Sequence, residues 1–385
     1  MLRFALKHMA VRRGRLIMTA LSVIVAACVG LLAYNISTQV SEGIVRSAGR
    51  FDVIIGPSGS ATQLAMNTLF FTDKPLGTIP YSIVEELEKS GKANAVVPFS
   101  MGDSYNDAPV VGTSPELLEG RALSEGSMFA ECGEAVVGWD VARQYGLKPG
   151  DALITSHGLS GGSEHADAPL TVTGVLSRTN TAYDRAVFTP SETIWSLHGG
   201  HDDDDHDHEA ETVCAVLVRT KSLADYAALT AAYSENSDYL VINPNTVLRE
   251  VLENVDMSRQ IVYILCAVIL AMNVFAIALL AMLSAYDSRE EIAMLRLIGV
   301  SMGRIGLLYL IENALTGAAA LAIALAAAHG GLTLIRDFVA GMGVVLDAAH
   351  VYPMEGLLLA AVFVVSLLPT TVMTLSMARR DGARR

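Results

Sequence analysis

The residues best suited to chemistry form one dense tract. From His198 the chain reads His-Gly-Gly-His-Asp-Asp-Asp-Asp-His-Asp-His-Glu. Imidazole nitrogens mixed with carboxylate oxygens are a donor set for zinc, and to a lesser degree for nickel or copper. His198, His201, His206, His208, Asp207 and Glu209 are the candidate ligands. His206 and His208 stand two apart and do not share a helical face, so the tract would wrap an ion as a loop. Its Gly-Gly pair argues for weak, exchangeable, multi-ion binding over a fixed tetrahedral site. The competing reading is a solvated acidic loop. A second segment, rich in Gly and Ser, holds His157, Glu164, His165 and Asp167.

Two other groups of residues carry an expectation. Glu312 and Asn313 interrupt an otherwise charge-free apolar run, where an ionisable residue is costly and a functional candidate by default. Packing within the protein, or reach towards the membrane surface, is the plainer alternative. The segment Asp287 to Ser301 has Ile292, Leu295 and the pair Met294 and Ile298 at spacings of three and four, with Arg289, Glu290 and Arg296 elsewhere. This predicts a short amphipathic helix stopped near Gly299, which composition alone would favour as a connector lying on the membrane surface. The sequence has no GxxxxGK[ST] phosphate loop, no GxSxG turn and no HExxH. Gly56-Pro-Ser-Gly-Ser lacks the phosphate-loop lysine.

The elements that position these residues follow from charge. Only 17% of the 385 residues are charged, against about 25% in a soluble chain. Leu16 to Ser41, Gln260 to Tyr286 and Gly356 to Ala378 carry no charge, and Ile305 to Ile335 only Glu312. A span needs about 20 apolar residues, so four transmembrane helices are predicted near 16–37, 260–284, 305–328 and 355–377. The first is read as a retained anchor: its apolar core is long for a leader peptide and Tyr34-Asn35-Ile36 is a poor cleavage site. Lys and Arg cluster before the first span, after the last, and between the second and third. Those segments are therefore expected in the cytoplasm, with both termini inside. The net charge of −13 opposes a phosphate backbone, which excludes nucleic acid as a partner.

The intervening segment, 38–258, is strongly acidic and long enough to fold as an external domain. Strand signals recur at Phe51 to Gly56, Ala95 to Phe99, Pro109 to Gly112, Glu134 to Gly138, Ala152 to Thr155, Leu170 to Leu176, Ala186 to Phe188 and Val213 to Val218. Tyr81 to Lys89, Ser222 to Ala232 and Asn245 to Asn254 read as helices. The fold class is an α+β membrane protein with a two-lobed α+β domain inserted between helices 1 and 2. Cys28 and Cys266 fall in spans; whether the external Cys132 and Cys214 pair is left open.

REEIAMLRLIGVSMGRI resembles the coupling segment of FtsX-like permeases, the MacB and LolC/LolE type of ABC transporter. FDVIIGPSGSATQLAMNTLFF, VVPFSMGDSYNDAPVVGTSPE and EAVVGWDVARQYGLKPGDALIT resemble that family's periplasmic core. The likeness implies residues 1–37 as N-terminus and anchor, 38–258 as periplasmic core and 259–385 as permease domain. It further implies a coupling helix at 287–300, with Arg289, Glu290, Glu291, Ile292, Leu295, Arg296 and Gly299 docking on a separate ATPase chain that binds ATP and magnesium. A non-catalytic subunit of the bacterial inner membrane follows, paired as a homodimer or heterodimer in the lipid bilayer, with a periplasmic or lipoprotein partner. A carboxylate near Glu312 is also usual in the family. Two rival functions stay open: an FtsX-type scaffold that regulates a cell-wall hydrolase, and zinc handling proper.

Overall fold

The computed structural model describes residues 9, 13–48, 50–158, 165–198, 211–287, 289–340 and 345–382. They divide into two compact units. One, the helical unit, comprises Met1–Thr38, Asp256–Ile335 and Asp347–Arg385; the other, the sheet domain, comprises Gln39–Val255 and Arg336–Leu346.

The strands are β1 (Val53–Pro57), β2 (Ile79–Pro80), β3 (Ala93–Tyr105), β4 (Ala108–Thr113), β5 (Leu123–Gly126), β6 (Glu134–Val137), β7 (Ala152–Leu153), β8 (Ser156–His157), β9 (Leu170–Leu176), β10 (Val187–Pro190), β11 (Thr212–Val213), β12 (Ala215–Thr220) and β13 (Tyr239–Ile242). The helices are α1 (Arg13–Ala48), α2 (Ala61–Phe70), α3 (Ser82–Lys89), α4 (Trp139–Tyr145), α5 (Ser191–His198), α6 (Leu223–Ser234), α7 (Pro244–Asp287), α8 (Arg289–Leu297), α9 (Met302–Ala340) and α10 (Pro353–Gly382).

The main sheet has eleven strands in the order β13-β1-β12-β3-β4-β10-β6-β9-β5, with β7 paired to β9 and β8 to β3. Most neighbours are antiparallel; β4 with β10 and β6 with β9 are parallel. The sequence reading expects two lobes, but one sheet runs through the domain. The thirteen-residue β3 is the reason: it pairs with β12 on one side and β4 on the other, joining what shorter strands would leave separate. Two apolar clusters persist within the single domain. Val53, Ile55, Val216 and Val218 pack with Ile83, Val84 and Leu87 of α3 and Leu229 of α6. Val110, Val137, Val172 and Val187 pack with Val141 of α4 and Ile194 of α5. Runs of β-branched residues suit such strands because both faces are covered.

Local chemistry sets the helices. In α3, Ile83, Val84 and Leu87 are buried while Glu85 and Lys89 face out and pair at 2.8 Å, the one-turn spacing that brings opposite charges together. Ser60 caps α2 by accepting from the Gln63 N–H. Phe71 follows it and meets the rings of Tyr183, Phe188 and Phe99 at 4.9, 5.6 and 6.1 Å.

In the helical unit, three helices among the described residues are long and apolar enough to cross a membrane: Leu16–Arg46, Met302–Arg336 and Pro353–Val372. The expected second span at 260–284 lies inside α7. Its apolar stretch among the described residues is Tyr263–Ala276, shorter than the about 20 residues a span needs. Small residues let these helices meet: Ala27 of α1 packs with Ala320 and Ala324 of α9, and a Cβ at Gly331 would press on Leu32 at 3.2 Å. Several buried polar residues here are paired. Asn313 Nδ2 donates to Thr370 Oγ1 at 2.8 Å. Glu355, 1% exposed, has Oε2 3.0 Å from His329 Nε2, while its Oε1 accepts from the Tyr352 N–H at 3.0 Å. His329 Nδ1 lies 2.7 Å from the Ala348 carbonyl oxygen.

Candidate metal centre

The site is built on β3. Its pairing with β4 shifts register between Met101 and Asp103, and such a bulge re-aims a side chain. Here it leaves an aspartate on a fully buried position, 0% exposed. Strand β8 pairs on the other side of β3, with His157 directly opposite Asp103 and Ser156 opposite Ser104. Gly158 then turns the chain at φ +82, a left-handed conformation that favours glycine. Its N–H donates to the Gly102 carbonyl at 2.8 Å and its carbonyl accepts from Ser104 Oγ at 2.6 Å. The His165 N–H donates to the Thr155 carbonyl at 2.8 Å, which returns that imidazole to the same place.

The fourth side chain is His198, the last residue of α5. That helix is seated by Ile194, which occupies the space that a Cβ at Gly112 would need. Thr193 Oγ1 accepts from the Gly133 N–H at 3.0 Å, and Trp195 Nε1 donates to the Thr212 carbonyl at 2.8 Å.

The four ligand atoms all lie within 4.8 Å of one another. His198 Nε2 is 3.0 Å from Asp103 Oδ2; His157 Nδ1 and His165 Nε2 are 3.4 and 3.7 Å from Asp103 Oδ1. Zinc held at about 2.0–2.2 Å in a tetrahedron would need donors about 3.3–3.6 Å apart, so side-chain shifts of about an ångström close the set. Side-chain exposure grades from 0% for Asp103 through 12% for His165 and 34% for His198 to 59% for His157. The carboxylate is thus the floor and His157 the rim. The hydrogen bond to Asp103 holds the His198 imidazole above its usual pKa, outweighing the opposite effect of burial.

The sequence singled out three of these four as chemistry-bearing and missed Asp103. Aspartate is depleted in strands, so an aspartate inside the apolar run Ala95 to Tyr105 was the available signal. His201, His206, His208, Asp207, Glu209 and Glu164 lie outside the described residues. Asp167 is exposed and does not join the cluster. Cys132 and Cys214 are both free: Cys132 is exposed beside Ser196, and Cys214 is buried against the Met101 carbonyl.

The segment expected at 287–300 as one helix is shorter. Helix α8 runs Arg289–Leu297, and Gly299 at φ +91 ends it, its N–H donating to the Arg296 carbonyl at 2.9 Å. Met294, Leu297 and Ile298 are 60%, 87% and 80% exposed. Ile292 is half-buried and Arg296 exposed, whereas the side chains of Arg289, Glu290, Glu291 and Leu295 lie outside the described set. Glu312 is buried at 3% exposure, with Asn313 beside it turned to Thr370.

A sheet-rich domain is joined to three helices long and apolar enough to cross a membrane among the described residues, the architecture of a membrane protein. Residues 16–235 match the MacB-like periplasmic core domain, and residues 262–381 match the FtsX-like permease C-terminal domain. The chain belongs to the FtsX/MacB-type ABC transporter permeases. No curated protein matches it significantly. Family and apolar helices together make it a protein of the bacterial inner membrane, in a class of permease subunits that is generally non-catalytic and works with an ABC ATPase.

Proposed function

We propose that this chain transmits the ATP-driven motion of a separate ATPase to its sheet domain, which acts on an exported or periplasmic client. ATP and magnesium belong to the partner chain. Helix α8 is the docking element: the rest of the chain leaves the large apolar side chains of Met294, Leu297 and Ile298 uncovered, the observation that carries the reading. Such a patch marks a contact surface. Arg289, Glu290, Glu291, Ile292, Leu295, Arg296 and Gly299 belong to that contact by the family likeness. Helix α7 supplies a fourth span through 260–284, so that 1–37 is anchor, 38–258 faces the periplasm and 259–385 is the permease domain, with both termini cytoplasmic. Two such chains, alike or different, are needed, and a periplasmic or lipoprotein partner is in keeping with the client role. Glu312 and Asn313 serve as buried polar contacts between spans.

The test is co-purification with the ATPase. Exchange of Glu290→Lys and Glu291→Lys together should weaken assembly through like-charge repulsion. Unchanged assembly and ATPase rate would sink the docking role. Topology is checked in a Cys132→Ser background: an impermeant external thiol reagent should label Asp167→Cys and miss Gly382→Cys.

A link to zinc is the second reading, favoured by the cluster of one carboxylate and three imidazoles. The sequence tract His198 to Glu209 adds donors of the same chemistry, with His201, His206, Asp207, His208 and Glu209 as a capture segment. Regulation of a periplasmic hydrolase is the remaining alternative; a hydrolase partner would identify it.

A further inference from the structure

We propose that Asp103, His157, His165 and His198 form one closed, four-coordinate zinc site that ties β8, His165 and the end of α5 to β3, independently of the histidine and aspartate residues that follow His198.

The first argument is an unmet hydrogen-bonding demand. His198 occupies only Oδ2 of Asp103. Asp103 Oδ1 is buried and accepts no hydrogen bond, and buried His165 Nε2 likewise has no partner. Buried polar groups in a finished core are nearly always satisfied. Two unmatched atoms, 3.7 Å apart within the cluster, fit a cation that accepts a lone pair from each. A neutral imidazole offers a metal the lone pair of its unprotonated nitrogen, and an ionised carboxylate needs no further preparation.

The second argument is the donor set. Three imidazoles and one carboxylate suit zinc and its first-row neighbours, whereas calcium and magnesium take oxygen ligands. Four protein ligands leave no open position for water or substrate, which marks a structural or regulatory ion over a catalytic one. The third is chain geometry. Asp103 and His198 are 95 residues apart in sequence, so an ion here would staple distant segments of the sheet domain. Metal loading would then set the rigidity of the body that the permease moves. The inference stands on the sheet domain alone. It survives if docking through α8 fails, because metal titration requires no ATPase.

The experiment uses the full chain in detergent micelles, stripped with a chelator and titrated with Zn2+ against a chromophoric competitor. Two sets of variants are compared with the parent. One replaces His201, His206 and His208 by Ala and Asp207 and Glu209 by Asn and Gln. The other consists of His157→Ala and His165→Ala, each alone; His157 is 59% exposed, so its truncation leaves the core intact. The first set should retain one tight equivalent. Each member of the second should lose at least tenfold in affinity for it, since disturbing even the outer shell of a metal site costs that much. Substitution by Co2+ should give the intense visible bands of a tetrahedral site in the parent and in the first set. Parent-like affinity in both His157→Ala and His165→Ala, or loss of the tight equivalent in the first set, overturns the proposal.

Discussion

Each unit of the chain buries a carboxylate against imidazole, and the two pairs are finished differently. In the helical unit, both oxygens of Glu355 are taken, by His329 and by the Tyr352 N–H, and the far nitrogen of His329 meets the Ala348 carbonyl. In the sheet domain, Asp103 meets three imidazoles yet keeps Oδ1 unmatched, and His165 Nε2 is unmatched as well. Both carboxylates are essentially inaccessible, at 1% and 0%. Burial therefore does not separate them; hydrogen-bond satisfaction does. A complete network is a latch between helices, whereas the incomplete one, built of metal-type donors, is the one we propose as a receptor for an ion.

The comparison can be tested at both ends. The largest effect is expected at the latch. His329→Leu leaves the Glu355 carboxylate buried without its partner, and stripping one member of a buried pair costs about 3–5 kcal/mol. Unfolding of the full chain in detergent should show that loss, and a parent-like midpoint would mean that the pair is solvated. Next comes the metal. At a free zinc concentration 100 times Kd, a single site binding only the native state adds about 2.7 kcal/mol. Zinc should raise the unfolding midpoint of the parent and of His329→Leu alike, and raise that of His157→Ala less, since a tenfold weaker site adds only about 1.4 kcal/mol at the same concentration. An equal rise in His157→Ala would place the ion elsewhere. The smallest effect belongs to Asn313→Leu, which removes a hydrogen bond between helices worth about 0.6 kcal/mol by membrane-protein precedent; a loss of several kcal/mol would assign Asn313 more than packing.

Much of the architecture was legible because it is written in local periodicity. The β-branched runs at 53–55, 96–97 and 136–137 and the amphipathic Ile83, Val84 and Leu87 announce strands and a helix on their own. The single sheet was not legible, because a strand's partners depend on distant pairing: nothing local in Ala93 to Tyr105 says that it joins β12 to β4. Helix α5 was also missed; its eight residues are seated by Ile194 against Gly112, a contact 82 positions away. The candidate site was half visible for the same reason. Histidines at 157, 165 and 198 stand out by type, but Asp103 joins them only through the bulge and the short pairing with β8.

The central claim is that the chain works as an ATP-driven subunit through α8, and one affinity measurement tests it most directly. The full chain, reconstituted in lipid nanodiscs, is titrated with the partner ATPase and compared with the double variant Leu297→Asp, Ile298→Asp. Each large apolar side chain contributes about 1.5–3 kcal/mol when fully buried, and about 1.4 kcal/mol is a factor of ten. The account predicts binding weakened about a hundredfold or more, with zinc titration of the sheet domain unchanged. Equal ATPase affinity in parent and variant would contradict it.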